Sequence, residues 1–209
     1  MINVQDVMQK WQGELGIDID GDKWTKIWTQ TKKISVCNRA RLLQFKIVHR
    51  LQISPNKRHK MNSQLSPAFL KCKISVGTYT HCIWSCPKIQ AYWMDVLQDL
   101  EKIFGVVLHM DPLSLILGYT SQDTIVDANA ARLYNILTYA ARKNIFLSWI
   151  SDKPPTKSNW HKIFMECFPL EYLTCLLHSS EGQFMNIWTP YLHFSSSTVA
   201  SVLSNVVLG

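Results

Sequence analysis

Between Lys23 and Met94 the chain has no aspartate and no glutamate. Fourteen lysines and arginines lie in that block, whereas one base faces five acids before it and seven face ten after it. The net charge of +7 therefore originates in one segment. The block has no carboxylate to act as a general base, which argues against catalysis within it. A field of one sign attracts a polyanion, and nucleic acid is the commonest. The competing explanation is a solvated face neutralised by acids brought in from elsewhere in the fold.

Other absences narrow the reading further. The N-terminus "MINVQDVMQKWQGELG" has no basic stretch leading into an apolar one, so no secretory signal is expected. No run reaches the roughly 18 apolar residues of a membrane-spanning helix, so no membrane partner is expected. There is no Walker-type glycine loop, no G-x-S-x-G, no dinucleotide fingerprint and no adjacent pair of aspartates. No small-molecule substrate is therefore expected. Asp18, Asp20 and Asp22 resemble the start of a calcium loop, but the glycine comes too early and the closing glutamate is missing. The six cysteines, with no secretory signal, predict free thiols in a reducing compartment, cytoplasmic or nuclear. Cys37, Cys167 and Cys175 stand alone and are expected as small buried residues.

What is present reads as helix. Val4, Val7, Met8, Trp11 and Leu15 are helically spaced, as are Trp24, Ile27 and Trp28. "NRARLLQFKIVHRL" predicts a helix with Leu42, Phe45 and Ile47 or Val48 inward and Arg39, Arg41, Lys46 and Arg50 outward. Residues 54–67 read as a connecting segment exposing Lys57, Arg58 and Lys60. Pro87 opens the clearest helix and Gly105 stops it. A long helix over 127–150 follows, then "KPPT", a helix capped by Ser158 or Asn159, and another starting at Pro169. Glu166 and Glu171 are placed on separate helices, in surface or capping roles. The fold class is mainly α, with a short loop or hairpin over 69–86 in which Gly77 makes the turn. Three regions are expected: 1–105, 106–192 and an uncharged tail, 193–209.

The stretch "KCKISVGTYTHCIWSC" sets Cys72, His81 and Cys86 at intervals of eight and four intervening residues. Thiolate, imidazole and thiolate so spaced suit a small zinc site. The usual partner cysteine would stand before Cys72 with two or three residues intervening, where Phe69 and Ala68 stand; His59 is the candidate substitute. The alternative is that Cys72, Cys82 and Cys86 simply pack against Trp84 and Trp93.

Taken in order, "WTKIW", "LLQFKIVHRLQISPNKRHKM", "SPAFLKC", "GTYTHCIWSCPKIQAYW" and "DPLSLILG" resemble the C-terminal region of LINE-type, non-LTR retrotransposon reverse-transcriptase polyproteins. "ARKNIFLSWI", "KPPT", "LEYLT" and "IWTPYL" extend the resemblance over about residues 5–192. It implies a helical domain bearing a zinc-knuckle-like segment that binds RNA or target DNA. Cys72, His81 and Cys86 then match the second to fourth ligands, with Phe69 in place of the first. The endonuclease and polymerase of that family lie upstream, so no catalysis is expected. The expected activity is sequence-tolerant RNA or single-stranded DNA binding. Phosphate contacts are assigned to Lys32, Lys33, Arg39, Arg41, Arg50, Lys57, Arg58 and Lys60, with Trp84 as a stacking candidate. The alternatives are a helical protein-interaction module and a truncated relic without function.

Overall fold

The computed structural model describes residues 4–35, 37–120, 125 and 127–195. It is mainly helical, with no sheet among the described residues. α1 (Val4–Leu15) buries Val7 and Trp11, and the Trp11 indole donates to the Val48 carbonyl at 2.9 Å. α2 (Gly21–Lys33) starts at Asp20, whose carboxylate accepts from Lys23 N–H, and ends on Lys32 and Lys33, where cations favour the helix terminus.

α3 (Asn38–Val48) is a helix, but its buried face differs from the expected one. Ala40, Gln44, Ile47 and Val48 are inside, while Leu42 and Phe45 are exposed. The local pattern is apolar on several sides, and a distant contact decides between them. The Gln44 amide donates to the carbonyls of Ile116 and Leu117, which fixes the rotation of the helix. The supposed connector also contains a helix, α4 (Pro55–Met61), with Ser54 capping and Pro55 in its first turn.

After α4 the chain makes a single antiparallel bridge, Ala68 to Val76, with Lys73 left-handed at the turn. Gly77 is not that turn. It lies against Pro55, and a Cβ there would come within 2.8 Å of the proline ring. A π turn (His81–Ser85) leads into α5 (Pro87–Phe104), which ends at left-handed Gly105 as the sequence suggests.

α6 (Pro112–Leu115) is short; α7 (Ala128–Leu147) is long and largely buried. α8 (Lys157–Leu177) is one continuous helix through Pro169, so the proline does not start a new one. Thr156 caps it, in place of Ser158 or Asn159. Both Glu166 and Glu171 thus lie on α8. Glu171 is buried, paired with Arg132 at 2.9 Å and accepting from the Ser35 hydroxyl at 2.8 Å. α9 (Glu181–Phe194) reaches two residues into the expected tail, 193–209, and residues 196–209 lie outside those described.

α5, α7, α8 and α9 pack on one another, with α3 against α7. Phe164 and Phe168 of α8 meet Phe184, Trp188 and Tyr191 of α9 with ring centroids as close as 4.5 Å. That aromatic seam offsets the hydrogen bond lost at Pro169. Buried Asp99 joins α5 to α8 through Lys157 at 3.0 Å and His161 at 3.2 Å. One cluster of buried side chains runs from Val7 to Tyr191.

Candidate metal centre and basic clefts

Cys72, His81 and Cys86 converge: one donor atom from each lies within 4.8 Å of the others, so the group can hold a metal ion. The convergence depends on the π turn. On an α-helix, residues five apart point about 140° from each other. Here the Cys86 N–H donates to the His81 carbonyl at 3.1 Å, closing a wider turn that brings both side chains to one side. Cys72 arrives from the 69–75 turn, its sulfur 3.4 Å from His81 Nε2.

The surroundings suit ligands. Burial alone would raise the Cys72 thiol, but the N–H groups of Ser75 and Ile74 directed at its sulfur hold it below its ordinary value. Burial pushes Cys86 up, partly offset by the N–H groups of Lys88 and Ile89 in the first turn of α5, though no cap hydrogen bond closes there. Burial lowers His81, favouring the neutral ring whose lone pair a metal needs. Cys82 points elsewhere, and burial raises its thiol.

The fourth corner is apolar. Phe69 is 1% exposed, and its ring meets His81 edge-on at 5.6 Å. His59 does not substitute; its Nδ1 is engaged with the Leu65 carbonyl at 2.6 Å, and it is not in the converging group. Lys71, which the sequence did not single out, is buried beside the corner. Its amine donates to the carbonyls of Ser148 and Ser151 just past α7 and lies 5.1 Å over the Phe69 ring.

The basic residues divide into groups. Lys57 and Lys60 line a cleft of about 460 Å³ with Lys10, His49 and Arg50. Arg58 faces the other side of α4, toward Leu65 and Trp149. Arg39 lines a separate cleft of about 460 Å³ with Lys46, Tyr139 and Lys143. Arg41 donates to the Ser35 carbonyl at 2.8 Å, and Lys32 and Lys33 are exposed at the end of α2.

Arg50 is occupied. It grips both oxygens of Glu14 at 2.6 Å and lies 4.7 Å over Trp11 and 5.1 Å over Tyr79. Glu14 also accepts from the Thr80 hydroxyl. Trp84 is half-buried, its ring 6.4 Å from Trp93. Lys10 and His49 enter the cleft unannounced, because the sequence places them far apart in the chain or outside the basic run.

Fold and site together define a helical chain with a Cys-His-Cys corner and two basic clefts, in which Glu14 and Glu166 are the acids. A scan against protein-family models finds no match.

Proposed function

We propose that this chain is a non-catalytic nucleic-acid-binding fragment descended from the C-terminal region of a LINE-type reverse-transcriptase polyprotein. The observation that carries the binding activity is the state of the basic block. Among the described residues, only Lys23 and Arg50 of its fourteen bases form ion pairs. Three acids from the rest of the fold are paired outside the block: Asp99 with Lys102, Lys157 and His161, Glu171 with Arg132, and Glu166 with Lys143. Of the other bases in the block, Lys71 is buried on the carbonyls of Ser148 and Ser151 and Arg41 holds the Ser35 carbonyl, while exposed bases such as Lys32, Lys33, Lys57 and Lys60 are available to phosphates. Lys10, Lys57 and Lys60 share one cleft suited to a phosphodiester strand. The ordered motifs support the descent.

Zinc is the ion that the resemblance implies at Cys72, His81 and Cys86. With one ligand fewer than a closed site, its affinity falls below that of a four-ligand knuckle.

The test is a salt titration of binding to single-stranded RNA. Affinity should fall with a logarithmic slope of about −0.7 for each phosphate neutralised. Absence of binding at low salt, or a flat response, refutes the proposal. A helical interaction module is a second reading, favoured by Leu170, Leu173 and Leu177, which are exposed along the second half of α8. Under that reading, mass rises with protein concentration in light scattering while RNA is ignored.

A further inference from the structure

We infer that Cys72, His81 and Cys86 form a three-coordinate site for a soft monovalent cation, copper(I), in preference to zinc. The inference rests on treating these three side chains as a ligand set and is independent of nucleic-acid binding.

Ligand number comes first. Two sulfurs and one imidazole nitrogen meet within 4.8 Å, and no other His, Cys, Asp or Glu among the described residues joins them. Zinc in proteins is almost always four-coordinate, or three-coordinate with a water completing the tetrahedron. Copper(I) is softer, favours thiolate, and is satisfied by two or three ligands in a plane.

The fourth direction decides between them. Where the resemblance calls for a cysteine, Phe69 brings a buried phenyl ring edge-on to His81. A benzene ring neither ligates nor offers a zinc-bound water a hydrogen-bond acceptor. No carboxylate among the described residues joins the three donors as a fourth ligand. An apolar wall beside two thiolates instead keeps solvent from a planar soft ion.

Charge points the same way. Copper(I) with two thiolates carries a net charge of −1, whereas zinc with the same ligands is neutral. The Lys71 amine, buried 5.1 Å above the Phe69 ring and tied to the carbonyls of Ser148 and Ser151, complements the anionic complex. A neutral zinc complex offers the amine no such charge to complement.

The experiment loads the full chain anaerobically with copper(I) from a chromophoric chelator and with zinc in parallel, then competes the two ions. X-ray absorption should report copper bound by two sulfurs and one nitrogen. Equimolar zinc should not displace it. Cys72→Ser or Cys86→Ser should weaken copper binding about 100-fold, the order expected for one ligand of a thiolate site. Phe69→Cys should raise zinc affinity by a similar factor, about 100-fold, and reverse the preference.

Phe69→Leu, which keeps the corner apolar and the core filled, should retain copper selectivity. Circular dichroism of each metal-free variant separates loss of fold from loss of ligand, and Phe69→Leu carries the test if Phe69→Cys does not fold. Four-coordinate copper, displacement by equimolar zinc, or unchanged copper affinity in both serine variants would overturn the inference. RNA binding by the same preparations is scored separately, so failure of either proposal leaves the other readable.

Discussion

Arg50→Ala separates two roles that the same residue could play. If Arg50 were a phosphate contact, its loss would lower the salt slope by about 0.7 and leave stability alone. The structure assigns it to the fold. Its side chain is 12% exposed, its guanidinium takes both Glu14 oxygens at 2.6 Å, and it covers Trp11 and Tyr79. Glu14 is 40% exposed, so solvent screening limits the ion pair to about 1 kcal/mol. Two ring contacts on a largely desolvated guanidinium add about 1–2 kcal/mol. Nη1 has no hydrogen-bond partner among the described residues and adds nothing. The left-handed φ of 57° costs Ala and Arg alike, so it cancels. Urea unfolding should therefore show a loss of about 2–3 kcal/mol, with the RNA salt slope unchanged. Lys60→Gln should do the reverse, cutting the slope by about 0.7 with stability intact. A reduced slope with unaltered stability in Arg50→Ala would falsify this assignment.

Gly77→Ala drives a methyl into Pro55 and should destabilise by about 1–3 kcal/mol in denaturant titration; an unchanged midpoint would mean that α4 moves freely on the hairpin. Thr156→Ala should cost about 1 kcal/mol and Ser158→Ala only a few tenths, because Thr156 alone holds the N-cap bond of α8. Equal losses would return the cap to Ser158. Burial raises the Glu14 carboxyl, but the hydrogen bonds from Arg50 and Thr80, with the Arg50 charge, bring it below its ordinary 4.5. Its contribution is therefore fully present above that value and lost as pH falls through the lower, folded one. Glu14→Gln should flatten the acid limb of a stability–pH curve, and an unaltered limb would assign acid sensitivity elsewhere.

Much of the helical order was legible because local signals agree. α5 has apolar residues at helical spacing, proline at its entry and glycine at its exit, and it forms as expected. α3 was legible as a helix but not in its rotation, since Gln44 turns inward toward carbonyls some seventy residues away. Proline at 169 reads as a break in any local window; only the aromatic seam with α9 explains a helix running through it. The three converging ligands followed from residue type and spacing. Lys71 did not, because its partners at Ser148 and Ser151 come from the far end of α7. Arg50 looked like one more cation in a basic run until Glu14 was placed against it.

The π turn between His81 and Ser85 makes the metal corner sensitive to length as well as to composition. Adding one residue between His81 and Cys86 would leave Cys72, His81 and Cys86 all present in the chain. It would also set the histidine and the second cysteine six apart, which on an α-helix points them about 120° from each other. A comparison of related chains by ligand identity alone would count such a site as intact. The spacer should therefore tolerate exchanges of side chain at Trp84 or Ser85 far better than a single insertion.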